Sequence, residues 1–248
     1  MFNPTSQPGP GDLFFRIGPF PIRIMPMFWI VGLLLGINAV DDAMQLMAWI
    51  LAFFVAILVH ELGHAIMMRY YGDWPKIMLY GFGGMAFCDE PYPRWNTTWQ
   101  RNVVTCFAGP AAGFLLVAAI CGASILAGSP ILVVWSSLRV IVFAKLVMTG
   151  QMLFLWYFLN DLMLLCVFWG IINLAPIWPL DGGRISRSLL ERFSPRTGTM
   201  RAFQVSLIFA VFLAVWFGMR QSIWGAVLFG MLAFQSFQVL TSLSARRY

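Results

Sequence analysis

The two histidines of this 248-residue chain stand four positions apart in an apolar stretch, His60-Glu61-Leu62-Gly63-His64. On an α-helix, residues four apart project from the same face, so both imidazoles can bind one metal ion. Glu61, next to His60, can then act as general base for a metal-activated water molecule. The pattern therefore predicts a hydrolytic metal centre carried by one helix. The alternative is a buried polar cluster that bridges helices, although ionisable residues at membrane depth usually mark a functional site.

The composition indicates the surroundings of this motif. Hydrophobic residues make up 60% of the chain and charged residues 10%, whereas soluble domains carry about 25% charged residues. Long, nearly uncharged stretches are typical of membrane spans and predict an all-α polytopic membrane protein. The net charge of +6 fits membrane topology and anionic lipid, and we expect no nucleic-acid partner. The four cysteines form no CxxC pair and are expected to be free thiols.

The apolar stretches predict about six transmembrane helices, together with a short re-entrant strand-like loop. We expect residues 1–23 to be a cytoplasmic N-terminal segment and residues 242–248 a cytoplasmic tail. Residues 24–241 are expected to form a single integral membrane domain, with its core at 44–195. The first span is expected to stay attached as a signal anchor. The six predicted spans are Ile24–Val40, Met44–Met68, Val103–Ala127, Met152–Asn173, Phe203–Met219 and Ser222–Leu240.

The distribution of basic residues indicates the topology. With six spans and a cytoplasmic N-terminus, only Arg139, Lys145 and Arg220 of the 16 Lys and Arg residues lie outside, in agreement with the positive-inside rule. A seventh span at Ile131–Gly150 would destroy this bias, so we expect that stretch to be extracytoplasmic or re-entrant. Both termini are then cytoplasmic, and the chain is a multi-pass integral membrane protein.

Two histidines do not complete a catalytic zinc site, which usually has three protein ligands and an open position for water. His64 lies five residues before Arg69, which places the motif inside the membrane near its cytoplasmic face. Asp181 fits best as the third ligand, because it lies three residues before Arg184 at the end of a parallel span and reaches a similar depth. The other acids considered are Asp12, Asp41, Asp42, Asp73, Asp89, Glu90, Asp161 and Glu191.

The segment before and after Asp181 is rich in residues that break helices. Pro176 and Pro179 interrupt the helix and free backbone groups that only protein or a wet cavity can satisfy at membrane depth. Gly182 and Gly183 let the chain turn closely beside a metal ion. A simple turn after a helix would explain the same composition. The two histidines, however, need a further ligand at this depth.

Together, these residues resemble a known family, the site-2 protease family of intramembrane zinc metalloproteases. The resemblance covers about residues 14–195. No stretch here could encode a PDZ or CBS domain, so the chain resembles a compact form of the family. One departure is Gly113, where the family commonly has Asn. The matching residues are His60-Glu61-Leu62-Gly63-His64, Asn173-x-x-Pro176-x-x-Pro179-Leu180-Asp181-Gly182-Gly183, the weaker Ala108-Gly109-Pro110, and the stretch Arg16–Trp29.

The resemblance implies a site and a location. His60, His64 and Asp181 would bind one zinc ion per chain. Glu61 would be the catalytic acid and base, and Asn173 would help to hold the scissile carbonyl or its oxyanion. The expected location is the bacterial cytoplasmic (inner) membrane.

The residues and the resemblance predict an intramembrane zinc endopeptidase whose substrate is a transmembrane protein, cleaved in or near its membrane segment. The apolar, glycine-containing stretch Ile77–Phe87 resembles the family's re-entrant loop, and an exposed strand edge there could pair with an extended substrate. An interfacial loop that never touches substrate is the alternative.

Two other classes of function stay open, a catalytically silent relative that holds membrane clients and an ion-coupled transporter. The oligomeric state also stays open.

Overall fold

The computed structural model describes residues 9–37, 42–81, 83–88, 98–128, 131–135, 142–146 and 153–245. Helices dominate these ranges, and short strands lie between them. The elements in chain order are β1 (Leu13–Ile17), β2 (Phe20–Ile24), α1 (Pro26–Gly36), α2 (Ala43–Tyr70), β3 (Lys76–Tyr80), β4 (Gly83–Phe87), α3 (Trp99–Leu126), β5 (Ile131–Trp135), β6 (Val142–Leu146), α4 (Leu153–Asn173), α5 (Asp181–Phe193), α6 (Gly198–Met219) and α7 (Ile223–Ala245).

Five helices, α2, α3, α4, α6 and α7, are long and apolar enough to cross a membrane. The shortest of them, α4, has 21 residues and at 1.5 Å per residue extends about 31 Å, the thickness of a bilayer's hydrocarbon core. Large apolar side chains on these helices are exposed, for example Leu115 at 70% and Ile208 at 67%, as lipid-facing positions require. The prediction of a polytopic α-helical membrane protein is therefore confirmed.

The first predicted span, Ile24–Val40, is shorter in the structure. Its first residue belongs to β2, and α1 has only 11 residues, or about 16 Å of helix, which is roughly half of what a bilayer requires. Pro26 stands in the first turn of α1, where a missing N–H breaks no helical hydrogen bond. Ile24 lies opposite Leu79 of β3 and is buried there. Among the residues that the structure describes, five long helices and one short apolar helix stand where six spans were predicted, and β1 and most of β2 lie in the predicted segment 1–23.

The chain forms two compact units, which are described in turn. The first comprises Met1–Pro91 and Ala108–Gly170, and the second comprises Tyr92–Phe107 and Ile171–Tyr248. The assignment of residues 24–241 to a single membrane domain stays a prediction.

A four-stranded sheet in the first unit contains the predicted strand-like loop. Its strand order is β1-β2-β3-β4, with β2 and β3 parallel and the other neighbours antiparallel. The stretch Ile77–Phe87 falls on β3 and β4, and β4 is an edge strand of the sheet as described. Both β3 and β4 pack against α2. The sheet edge therefore lies along the helix that carries the two histidines.

The core of the first unit lies where this sheet meets α1 and α2. Ile22, Ile77 and Leu79 of the sheet and Phe28 of α1 are each at most 1% exposed. The ring of Phe28 packs on that of Phe53 with 5.0 Å between centroids. In β2 the buried residues Phe20, Ile22 and Ile24 alternate with more exposed ones, so a one-residue slip would turn the buried residues to the opposite face, and this alternation fixes the register of β2.

The stretch Ile131–Gly150 contains β5 and β6, which pair antiparallel. Where the structure describes it, this stretch is strand rather than helix, in agreement with the exclusion of a seventh span. Its placement outside the membrane or as a re-entrant segment stays a prediction.

In the second unit, α6 and α7 pack along each other and α5 packs on α6. The ring of Phe217 stacks on Phe229 of α7 at 5.4 Å with an interplanar angle of 14°. Ile177, from the segment between α4 and α5, is fully buried in the same cluster beside Ala210 and Phe229. This segment, which leads to Asp181, therefore belongs to the core of its unit.

Candidate metal centre

Helix α2 carries the predicted histidines and Glu61 on one uninterrupted stretch. The Asp42 side chain caps the helix by accepting a hydrogen bond from the Gln45 N–H at 2.7 Å, which satisfies one of the free N–H groups of the first turn. Arg69 stands in the last turn, where a cation interacts favourably with the helix dipole. The motif thus lies well inside a regular helix, so its geometry follows from the helical repeat.

The two imidazoles face each other at a spacing that suits a metal ion. The Nε2 atoms of His60 and His64 are 3.2 Å apart, and the rings are nearly perpendicular, with 4.8 Å between centroids and an angle of 83°. Zinc binds imidazole nitrogen at about 2.0–2.1 Å in tetrahedral geometry, which separates two such ligands by about 3.3 Å. The observed pair fits this requirement.

Glu61 completes a buried group of side chains whose types can hold a metal ion. One ligand atom from each of His60, Glu61 and His64 lies within 4.8 Å of the others. The three residues are 4%, 4% and 8% exposed. Burying three ionisable groups together is costly unless they are paired or bind a metal. In the part of the chain that the structure describes, this group is a candidate metal centre.

Two glycines give neighbouring backbone close access to this group. A Cβ at Gly109 of α3 would collide with Nε2 of His64 and lie 2.9 Å from Nε2 of His60. A Cβ at Gly84 of β4 would collide with Cγ of Glu61 and lie 2.7 Å from its Oε1. Gly109 therefore borders the imidazole side of the group and Gly84 the carboxylate side. Sequence reasoning gave neither glycine a role, although Gly109 belongs to the weaker Ala108-Gly109-Pro110 motif.

A third glycine brings α3 close to α2. A Cβ at Gly63 would collide with the carbonyl oxygen of Ala108 and lie 2.9 Å from Cβ of Ala112. Gly63, the small residue of the motif, thus allows Gly109 to reach the imidazoles. Gly113 stands where the family commonly has Asn. A Cβ at this position would lie 3.5 Å from the carbonyl oxygen of Cys166 on α4.

Asp181 and Asn173 belong to the second unit. Asp181 is the first residue of α5 and is 7% exposed, and Asn173 is the last residue of α4 and is 8% exposed. The N-terminal turn of a helix favours a carboxylate, because its free N–H groups carry partial positive charge. Their roles as metal ligand and as substrate contact stay predictions.

The segment between α4 and α5 is tightly folded against the first turn of α5. A Cβ at Gly182 would collide with the carbonyl oxygens of Leu174 and Ala175, and one at Gly183 would lie 2.6 Å from the backbone nitrogen of Trp178. The glycines after Asp181 are therefore required by close backbone packing. That they let the chain turn closely beside a metal ion stays a prediction.

Two of the other acids are engaged elsewhere. Asp12 forms an ion pair with Arg23, with 2.6 Å between Oδ2 and Nη2. Glu191 accepts hydrogen bonds from Arg187 at 2.7 Å and Thr199 at 2.8 Å. Neither lies in the candidate metal centre, and Asp41, Asp89 and Glu90 lie outside the described residues.

Asp161 on α4 has a buried Oδ2 without a hydrogen-bond partner among the described residues. An acid in the middle of a membrane span is expected either to line a path for water or to pair with a cation such as Arg139 or Lys145. The side chains of these two residues lie outside the described part of the structure. Asp161 is assigned no catalytic role.

Two curated proteins are similar to this chain in sequence. A zinc metalloprotease of Methanocaldococcus jannaschii is 26% identical over 231 residues, covering 92% of this chain and 56% of that protein. Stage IV sporulation protein FB of Bacillus subtilis is 26% identical over 225 residues, covering 88% of this chain and 65% of that protein. This chain therefore spans less than two thirds of the length of these curated relatives.

A solved structure supports the same fold. The site-2 protease from Methanocaldococcus jannaschii matches with a TM-score of 0.57 at 21% identity, over 92% of this chain and 95% of that chain. At this identity the likeness establishes a common fold and no more.

The apolar helices and the buried His–Glu–His group are those of a membrane protein with a candidate metal centre. Residues 48–217 match peptidase family M50, which is more than half of the chain. The chain belongs to peptidase family M50, the site-2 protease family, and the resemblance found in the sequence is confirmed.

Proposed function

We propose that this chain is an intramembrane zinc endopeptidase that hydrolyses a peptide bond in or near a transmembrane segment of a membrane protein. The observation that carries the proposal is the facing pair of imidazole nitrogens, 3.2 Å apart, with the Glu61 carboxylate in the same buried group. Two imidazole nitrogen ligands beside a carboxylate that transfers protons are the parts that zinc-dependent hydrolysis requires.

His60 and His64 would hold one zinc ion, with Asp181 as the third ligand. When bound, zinc supplies a Lewis acid for the substrate carbonyl and makes a water molecule acidic enough to lose a proton near neutral pH. Glu61 accepts the proton from the attacking water and then donates it to the amide nitrogen that leaves. Asn173 donates its side-chain N–H to the carbonyl oxygen as negative charge develops there. No covalent bond between enzyme and substrate is needed.

The substrate would bind as an extended strand along β4. Gly84 of β4 lies against Glu61, so a strand added to this edge passes the general base. Backbone pairing with an edge strand holds an unwound segment independently of its sequence. Unwinding exposes peptide bonds that a helix would protect, and the strand edge satisfies the freed N–H and C=O groups.

The proposal also covers the location and partners of the protein. The chain would be a multi-pass protein of the bacterial cytoplasmic membrane with both termini in the cytoplasm. Residues 24–241 act as one membrane metalloprotease domain, and the partners are lipid and a transmembrane protein substrate.

The test is the Glu61→Gln variant, purified beside the wild type and supplied with a panel of single-span membrane proteins in vesicles. Gln is nearly the same size as Glu but cannot accept the proton. We expect the variant to keep the wild-type zinc-to-protein ratio while cleavage falls by about 10²–10⁴-fold, the usual contribution of a general base. Product mapping by mass spectrometry locates the cleaved bond.

Three outcomes would contradict the proposal. Equal cleavage by Glu61→Gln would remove Glu61 from the mechanism. Cleavage by wild type that survives complete zinc removal would exclude a metalloprotease. Client binding by a zinc-loaded wild type that cleaves nothing would favour the catalytically silent alternative.

A further inference from the structure

The backbone between α4 and α5 leaves one N–H group without a local acceptor. Outside a helix and at membrane depth, each N–H needs a partner from elsewhere in the protein. The Trp178 N–H donates to the side-chain oxygen of Ser206 on α6, at 2.7 Å. The other N–H groups of the segment donate to nearby carbonyls, Leu174 to Ile171, Ala175 to Ile172, Ile177 to Ala175 and Leu180 to Ile177, while Pro176 and Pro179 have none.

Ser206 is part of a chain of hydrogen bonds. Its Oγ lies 2.7 Å from Oγ of Ser236 on α7, and Ser236 bonds to the carbonyl oxygen of Leu232 at 3.0 Å. A hydroxyl has one proton to donate, so when Ser236 donates to Leu232 it accepts from Ser206. In that arrangement Ser206 accepts from Trp178 and donates to Ser236, and every hydroxyl proton has an acceptor. Ser206 is 1% exposed and Ser236 0%, and buried chains of this kind strengthen each bond in them.

This chain of bonds ends beside the first turn of α5. A Cβ at Gly183 would lie 2.6 Å from the Trp178 nitrogen, so the Trp178 backbone packs directly on the turn that begins with Asp181. The Trp178 ring packs on Phe203, one turn before Ser206 on α6, with 5.5 Å between centroids. A shift of the Trp178 backbone would therefore displace the turn that carries Asp181.

We propose that Ser206 and Ser236 are positioning residues that hold the Asp181 carboxylate in the place required for metal binding. The two serines tie the broken segment to α6 and α7 at the one N–H that the segment cannot satisfy itself. This inference rests on the proposed role of Asp181 as a zinc ligand. It adds that the ligand is held by a polar contact with two membrane helices.

The experiment measures zinc affinity of the full-length protein by competition with a chelator. The variants are Ser206→Ala, Ser236→Ala, Asp181→Ala and the double variant Ser206→Ala/Asp181→Ala. The matched control is Ser124→Ala, which removes another buried serine that bonds to its own helix, at 2.8 Å to the carbonyl of Ile120. Thermal unfolding identifies variants that are not folded.

We expect Ser206→Ala to weaken zinc binding about 10-fold, the usual effect of losing a group that supports a metal ligand. Ser236→Ala should weaken it less, because Ser206 still accepts from Trp178. Ser124→Ala should match the wild type. The Ser206→Ala change should have no further effect once Asp181 is absent, because it acts through that residue.

Two results would overturn the inference. The first is that Ser206→Ala binds zinc as tightly as Ser124→Ala does. The second is that Ser206→Ala weakens zinc binding by the same factor whether or not Asp181 is present. Wild-type affinity in Asp181→Ala would instead refute the ligand assignment of the proposed function, which separates the two failures. If Ser206→Ala does not fold, the same comparison with Ser236→Ala decides.

Discussion

The histidine pair and the Asp181 turn are built in opposite ways. His60 and His64 lie on an unbroken helix, whose repeat alone brings their Nε2 atoms to 3.2 Å. Asp181 follows a segment broken by two prolines, and that segment depends on a hydrogen bond to Ser206 on another helix. In the proposed site, a local repeat therefore supplies two ligands almost unaided, whereas the proposed third ligand, Asp181, needs tertiary support. Single substitutions can separate dependence on the helical repeat from dependence on tertiary contacts.

The largest effect is expected from His64→Ala. The change removes one of the two helical ligands, and Ala preserves the helix because its helical propensity is high. Zinc should be lost, and cleavage should fall by on the order of 1,000-fold, since a metal contributes several kcal/mol to the transition state. Metal analysis and circular dichroism together check this. A wild-type zinc content in the folded variant would show that the pair is not the site.

Gly109→Ala should come next, because it adds a methyl group against both imidazoles. We expect zinc affinity to fall by on the order of 10–100-fold, as when neighbours of metal ligands are altered. The matched control is Gly122→Ala on the same helix, where a Cβ has no atom within 4 Å. Equal zinc affinity in the two variants would mean that α3 does not border the metal.

Gly84→Ala tests the other side of the group. Its Cβ meets Glu61 rather than the histidines, so zinc should stay bound while cleavage falls by up to about 100-fold through displacement of the general base. Zinc content and turnover are measured on one preparation. Loss of zinc in this variant would contradict the separation of the imidazole and carboxylate sides.

The smallest effect is expected from Glu191→Ala, which is matched to Asp181→Ala because both acids lie on α5. Glu191 is half-buried and paired with Arg187, with side chains 37% and 40% exposed, and it also accepts a hydrogen bond from Thr199. Its removal should cost about 1–2 kcal/mol of stability and leave zinc affinity unchanged. Asp181→Ala should lower zinc content. Equal zinc affinity in the two variants would show that Asp181 is not a zinc ligand.

The sequence predicted what depends on local repeats and on residue chemistry. The helical spacing of His60 and His64 and the broken segment before Asp181 were both visible in it. The first span was predicted too long, because Ile24 looks like any other membrane residue until it pairs with Leu79 of β3. Leu79 is remote from Ile24 in sequence, so no local pattern predicts this strand pairing.

Contacts that depend on the fold were not predictable in the same way. Gly84 and Gly109 have no side chains that suggest chemistry, and their importance comes from the atoms that a Cβ would meet. Ser206 and Ser236 look like ordinary small residues of membrane helices. Only the path of the backbone shows that Ser206 satisfies the Trp178 N–H.

X-ray absorption spectroscopy of the zinc-loaded protein tests the central claim most directly, because it reports the atoms bound to the metal. The account predicts two imidazole nitrogens and further oxygen ligands at about 2.0–2.2 Å, with no sulfur at about 2.3 Å. In His64→Ala, the signal of two imidazoles should disappear. A zinc–sulfur distance, or a spectrum with one imidazole in the wild type, would contradict a centre built on His60 and His64.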